Sequence, residues 1–501
     1  MKLNRLLLLI YLFPLLASAQ VPTLVQHVSC PNSRNGGNQQ SNTPDYKCPL
    51  PEPSQAGNAI IVGVTAVSTG AFTLSDDKSN AYTLATSTTD GNGMYIAIYV
   101  ATNIASGTRM INLHRTTPNA FNVAMSASEY YNVALTSAID EFNCTGSANG
   151  TSISAGSITP TVSGDLLWQW AINTGGGGGL PNSVTSFTVG SQPAVSWQLL
   201  GTDLHDGDAV QAGVYNATAQ INPTFTSQSQ SWSSCVVALK PPASGTTTGN
   251  APTQAFRIVH MLHQQMAASG SNPFKLQFPA SGNLIVASYI SGGSLITSAT
   301  STPSNTWSST GTAAGGQSIT AASQIYYAAN ASTSNSMTIS FTKDTNTSDG
   351  TYMMYDIVGA ATSPFDKDSG PQSANQTSQV SSFSPSGVGL TPTGVSGGKE
   401  IVVGNTGWNW CTANGVASPV GALFDVATDT GNSVNGPEPV DQNNGWFHLY
   451  TVSTSALTTT WSPMACNQAE GLWAGRVAAF KSASSVAQQP APPTQLNAAV
   501  N

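Results

Sequence analysis

Charge is what this sequence has least of. Asp, Glu, Lys and Arg make up 8% of its 501 residues, about a third of the usual globular share. The 15 Lys and Arg are too few for a basic stripe, which excludes phosphate-backbone recognition and so nucleic acid. A net charge of −8 argues equally against anionic lipid. Beyond residue 16 no apolar run approaches the length needed to cross a bilayer as a helix. Amphipathic helical periodicity is missing as well. No Gly-x-Ser-x-Gly elbow and no phosphate-binding glycine loop occurs. Cysteines at zinc spacing are absent. Hydrophobic residues still reach 40%, so the chain is no disordered polyelectrolyte. Its polarity comes from Ser, Thr, Asn, Gln and Gly, a composition suited to β-sheets with polar faces and long loops.

The first 19 residues read as a secretory signal. Lys2 and Arg5 form a positive segment, Leu6 to Leu16 an apolar one, and Ala17-Ser18-Ala19 a small-residue cleavage site. The expected location is therefore extracellular or at the cell surface. The six cysteines, Cys30, Cys48, Cys144, Cys235, Cys411 and Cys466, allow fifteen pairings. The expected set is Cys30–Cys48, Cys144–Cys235 and Cys411–Cys466, each closed within one half of the chain.

Those halves are two copies of one pattern. Gly57-Asn58 opens the apolar strand Ala59 to Val64, and Gly282-Asn283 opens Leu284 to Tyr289. Ser79-Asn80-Ala81-Tyr82 corresponds to Ser304-Asn305-Thr306-Trp307, and Tyr99-x-Ala-x-Asn103 to Tyr326-x-Ala-x-Asn330. Thr136 to Asp140 corresponds to Thr362 to Asp366, Thr159-Pro160-Thr161 to Thr391-Pro392-Thr393, and Asn173-Thr174-Gly175 to Asn405-Thr406-Gly407. The closing strand Trp232 to Lys240 corresponds to Trp473 to Lys481. The separation grows from 225 residues (57 to 282) to 241 (232 to 473) without any change of order, the mark of a duplication with loop insertions. Residues Met94 to Asn103 and Met110 to Leu113 are expected to form a hairpin, as are their counterparts from Gln324 and from Met337.

Many short alternating strands between Gly, Pro, Ser and Asn turns predict an all-β fold of two tandem jelly-roll-like or immunoglobulin-like β-sandwich domains. Their expected limits are 20–242 and 253–482. A flexible linker at 243–252 and a tail from 483 complete the chain. The order of these motifs resembles uncharacterised tandem β-sandwich repeats of bacterial secreted and cell-surface proteins. That resemblance implies no catalytic residues.

The candidate chemistry is sparse. His260 and His263 fall three residues apart on one strand and so on opposite faces, which argues against a shared metal. Asp203, Asp206 and Asp208 cluster oxygen ligands in one loop, a candidate calcium site or a solvated Asp-rich turn. No other cofactor is expected. Trp168 and Trp170 share a face with Leu166 and Ile172 and are expected in the core. Trp408 and Trp410 sit among Gly, Asn and Cys411, and are either core or a platform that stacks on sugar rings. Glu129 with Asp356, and Asp140 with Asp366, are matched acids at strand ends, which favours a structural role over hydrolysis. The function expected is a non-catalytic binding or structural protein contacting polysaccharide or an extracellular protein through its loops. The alternative is a carbohydrate-active enzyme or its accessory module.

Overall fold

The computed structural model describes residues 20–30, 45–67, 72–91, 93–115, 121–174, 184–204, 207–244, 246–265, 273–291, 294–311, 314–315, 322–344, 350–370, 372–374, 382–383, 386–408, 416–425, 444–461, 464–465 and 473–483. Among them there is no helix, and the strands form several antiparallel sheets arranged like a four-bladed propeller.

The two copies are not separate sandwiches strung on a linker. They share one 11-stranded sheet. From the middle outward, copy one contributes Thr23–Ser29, Phe121–Tyr131, Ala59–Val67, Met94–Ala101 and Thr83–Thr89. Copy two contributes Arg257–Gln265, Gly350–Val358, Leu284–Ser291, Ala322–Ala329 and Trp307–Ser309, with Ala314–Gly315 beside the fourth. The opening strands meet at the centre in the only parallel pairing among the described strands, with His27 opposite His260 and Ser29 opposite Leu262. Corresponding strands thus run outward in the same order from this seam, as a two-fold axis along the strands would place them.

Such an axis exchanges the faces of the sheet, and the packing follows it. In copy one Ile60, Val62 and Val64 face Tyr46, Ile111 and Leu113 of a three-stranded sheet. The alternate residue Ile61 faces Trp168 and Trp170 of a five-stranded sheet. In copy two Ile285 and Ala287 face the three-stranded sheet that carries Leu276 and Ile339. Leu284 and Val286 face Ile401 and Val403 of a larger sheet. The period-two alternation legible in the sequence is therefore buried on both faces.

The expected hairpins do not form. Met94–Ala101 lies in the shared sheet, whereas Met110–Arg115 pairs with Asp45–Pro49 and Phe72–Asp76 in the small sheet. Ala322–Ala329 and Ser334–Lys343 separate in the same way. The turn between them carries the chain across the core, so each strand buries its apolar side against the other's layer. On the opposite face, against the five-stranded sheet, Gly63 is needed, because a Cβ there would lie 2.9 Å from both indole rings of Trp168 and Trp170.

The segment 243–252 is fastened to copy one. Thr248 accepts from the Asn132 backbone, and Asn58 both donates to and accepts from Asn250. Gly249, at φ +70°, lets the backbone pass over Asn58. Further contacts bind the copies together. Arg109 lies 2.7 Å from Asp425, Tyr450 and the Ile258 amide donate to Glu52, and Gln277 exchanges hydrogen bonds with the backbone of Phe187.

Two of the expected disulfides are present, Cys30–Cys48 and Cys144–Cys235, which fits an oxidising, extracellular setting. Cys411 and Cys466 lie outside the described residues, as do residues 1–19. No helix among the described residues is long and apolar enough to cross a membrane.

Candidate functional site

Three of the repeated motifs converge on one groove in copy two. Ser304-Asn305-Thr306, the strand end Tyr327 to Asn330, and the turn Thr362 to Phe365 line a polar depression of about 670 Å³. The size is that of a small-ligand cleft. Its shape comes from side chains that fix backbone. Asn305 accepts from the Ser332 amide and donates to Ser301 Oγ and the Pro303 carbonyl. Asn330 adopts φ +50°, a left-handed conformation that Asn tolerates better than most residues, and donates to the Thr362 carbonyl at 2.8 Å.

The base of the groove is aromatic. Tyr327 stacks on Phe365 with centroids 5.4 Å apart and planes 14° from parallel, and meets Phe480 edge-on. Both Tyr327 and Phe365 are partly exposed. None of the lining residues is charged, and Ser304, Thr306, Ser332, Thr362 and Ser363 present exposed hydroxyls around the rings. In copy one the corresponding positions hold Val100, buried in the core with Leu166 and Trp168, and Ile139, partly buried against that core. The scaffold is common to both copies: Asn103 is left-handed like Asn330, and Asn80 accepts from the Ala105 amide as Asn305 does from Ser332. The aromatic surface belongs to copy two alone. Sequence comparison of the copies held the signal, in the replacement of Val100 by Tyr327 inside an otherwise matched motif.

Beside the groove, after Phe365, stands a second repeated cluster. Asp366 accepts from Thr393 N and Oγ1 and lies 2.8 Å from Lys481 Nζ. In copy one Asp140 accepts from Thr161 N and Oγ1 and lies 3.1 Å from Lys240 Nζ. Burial opposes charge on Asp140, but the bonds from Thr161 and Lys240 outweigh it and hold its carboxyl at about 2. Burial and the neighbouring Asp140 push Asp165 up to about 8. In copy two burial and Asp366 likewise raise Glu400, while Lys481 and Thr393 lower Asp366 against its burial. Each cluster thus sets a carboxyl held below its ordinary value beside an acid raised above it, the two carried on either side of the strand that leads to the lysine. The strand register sets Leu166 opposite Leu239 and Ile401 opposite Phe480, so Asp165 corresponds to Glu400. The resemblance of Asn173 to Asn405 is therefore three residues out of register, and Trp170 is the residue that Asn405 replaces.

The other matched acids serve the backbone. Glu129 is fully buried and accepts from Gln26, the Gln55 amide and Asn58. Asp356 is equally buried and accepts from the Ser281 and Gly282 amides and from His260. Each holds the turn before the third strand from the seam in its copy, Ala59–Val67 or Leu284–Ser291.

His27, His260 and His263 are buried too. His260 lies on the face toward Phe278 and His263 on the face toward Trp446, opposite sides of the strand as the spacing requires. His27 has neighbours that its sequence context did not show: Ser128 Oγ at 2.8 Å, and the His260 ring 6.4 Å away across the parallel seam. Burial, then the proximity of His260, holds its pKa well below the usual histidine value. Among the described residues no group of three or more His, Cys, Asp or Glu is placed to hold a metal ion. Asp203 and Asp208 are buried cross-strand partners in a hairpin, and Asp206 lies outside the described residues. Trp168 and Trp170 are fully buried and donate to Ser128 and Thr65. Trp408 pairs through its backbone with Trp473, and Trp410 lies outside the described residues. Comparison of the chain with protein-family models, with curated proteins and with solved structures finds no match.

Proposed function

We propose that the chain is an exported, non-catalytic binding protein, and that the groove of copy two takes a neutral glycan. One observation carries the reading. Tyr327 and Phe365 form a partly exposed aromatic pair in an uncharged, hydroxyl-rimmed groove, at positions where copy one has the aliphatic Val100 and Ile139. Sugar rings offer apolar C–H faces to aromatic planes and hydroxyls to a polar rim. A charged ligand finds no counter-ion among the groove residues.

The reading keeps the expectation of secretion to the extracellular space or cell surface, and of two β-sandwich repeats as a rigid support for loops. Trp408 and Trp410 remain a second candidate platform for sugar, and Asp203, Asp206 and Asp208 a candidate calcium loop. Retention of the mature chain on insoluble polysaccharides and on a glycan array, with and without calcium, tests it. Tyr327→Ala should abolish retention, whereas Val100→Ala, on the copy without the groove aromatics, should not. Binding that survives Tyr327→Ala places the ligand elsewhere. Release of soluble sugar from a bound polysaccharide moves the reading to a carbohydrate-active enzyme.

A further inference from the structure

The two acid clusters bring a primary amine and a carboxyl group into contact twice, each beside a third buried acid. Lys240 Nζ is 3.1 Å from Asp140 Oδ1, and Lys481 Nζ is 2.8 Å from Asp366 Oδ1. Each aspartate side chain is 2% exposed, and its oxygens are held by a threonine amide and hydroxyl. The third group, Asp165 or Glu400, is buried. Neither oxygen of Asp165, nor Oε2 of Glu400, accepts a hydrogen bond from any donor. A proton on each acid satisfies it by donation to the aspartate alongside.

An ion pair alone does not call for this arrangement. A lysine and an aspartate tie two strands without a third carboxyl, and burying one without a donor costs free energy. Acid, carboxyl and amine in contact are instead the groups that condensation of an amine with a carboxyl requires. We propose that each cluster is a site of intramolecular amide formation, joining Lys240 to Asp140 and Lys481 to Asp366. Nζ bonds to the aspartate Cγ, and one Cγ–O bond breaks. The ammonium surrenders two protons, both of which end on the departing oxygen, so water leaves. Asp165 or Glu400 relays them in two rounds: each time it gives its proton to that oxygen and takes one back from nitrogen, and it finishes as it began. No oxidant or cofactor enters. A side chain 33% exposed at Lys240 and 30% at Lys481 leaves the water a path out.

Mass spectrometry of the purified full chain, shown to be folded by circular dichroism and then reduced and denatured, tests this directly. The expected mass is two waters below that of the linear chain. A proteolytic digest should contain branched peptides joining Lys240 to Asp140 and Lys481 to Asp366. Lys240→Arg and Lys481→Arg should each restore one water and remove one branched peptide. Asp165→Asn should leave the Lys240–Asp140 pair in place and unlinked. Linear peptides carrying unmodified Lys240 and Asp140 from the folded wild-type chain would overturn the proposal for copy one, and unmodified Lys481 and Asp366 would overturn it for copy two.

Discussion

Arg476 Nη2 lies 2.9 Å from Asp368 Oδ2, on the strand position that Cys235 occupies in copy one. Cys235 stands opposite Trp170 and is bonded to Cys144 on the neighbouring strand, whereas Arg476 stands opposite Asn405 and reaches the neighbouring strand through an ion pair. The copies hold one strand pair by different means. Burial of the Arg476 guanidinium is only partly offset by Asp368, whose side chain is 20% exposed.

Arg476→Met tests what that pair is worth. Methionine fills the buried stem and leaves an aspartate that can still hydrate. The expected loss is about 1–3 kcal/mol, the cost of orphaning one partner of a charged hydrogen bond. Urea denaturation of the wild type and variant measures it. An unchanged midpoint would mean that packing around the stem, not the charge, holds the strands.

Asn330 provides a test of the groove that spares the fold. Its φ of +50° suits glycine, so Asn330→Gly keeps the backbone while removing the hydrogen bond to the Thr362 carbonyl. Thermal stability should change little. Affinity for the bound glycan should fall roughly tenfold, as expected when about 1.4 kcal/mol of positioning is lost. Titration calorimetry against the glycan identified by the array reads the change.

How far the sequence disclosed these features depends on the range of the interaction. The alternation of Ile60 to Val64 and the matched motifs disclose strands and duplication, because both are local. The seam between Thr23–Ser29 and Arg257–Gln265 pairs residues more than two hundred positions apart (27 with 260), and no local pattern encodes it. The hairpin expectation failed for a related reason. Apolar strands joined by a short turn serve a hairpin and a crossing between layers equally well, and only the partners Asp45–Pro49 and Phe72–Asp76 decide. The acids at Asp140 and Asp366 were legible as a matched pair, but Asp165 and Glu400 beside them were not, because a sequence offset three residues out of register hid their equivalence.

Asp425 joins the copies through a buried set. It lies 2.7 Å from Arg109, accepts from Tyr355, and is 2.8 Å from His448 Nδ1. Burial opposes its charge, but His448 and Arg109 more than compensate and keep the carboxyl ionised. Asp425→Ala leaves Arg109 and His448 facing each other without the anion, and should cost about 3–5 kcal/mol. Guanidinium unfolding followed by tryptophan fluorescence measures it. A loss below about 1 kcal/mol would show that water replaces the carboxylate.

His27 sets a pH dependence of defined sign. Its folded pKa lies below its unfolded value of about 6.5. The unfolded chain therefore binds a proton that the native chain refuses, and the stabilisation present above pH about 6.5 is lost as pH falls toward the folded pKa. His27→Gln can keep a hydrogen bond to Ser128 but does not titrate. The stability difference between wild type and His27→Gln should shift against the wild type as pH drops from 7 to 5. Parallel profiles would show that His27 protonates without cost.

The disulfide and the proposed amide in copy one close almost the same loop, and this makes their energies interdependent. Cys144–Cys235 spans 91 residues, and Lys240–Asp140 would span 100 (140 to 240). Either cross-link alone removes about 4–5 kcal/mol of unfolded-chain entropy in the chain-entropy treatment. A second link across the same strands adds little, since the loop is already closed. Cys144→Ser with Cys235→Ser should therefore cost the wild-type background far less than the Lys240→Arg background, where the amide cannot form and the full about 4–5 kcal/mol should be seen. Equal losses in the two backgrounds would mean that the disulfide acts on an open loop, and that Lys240 and Asp140 hold the strands by charge alone.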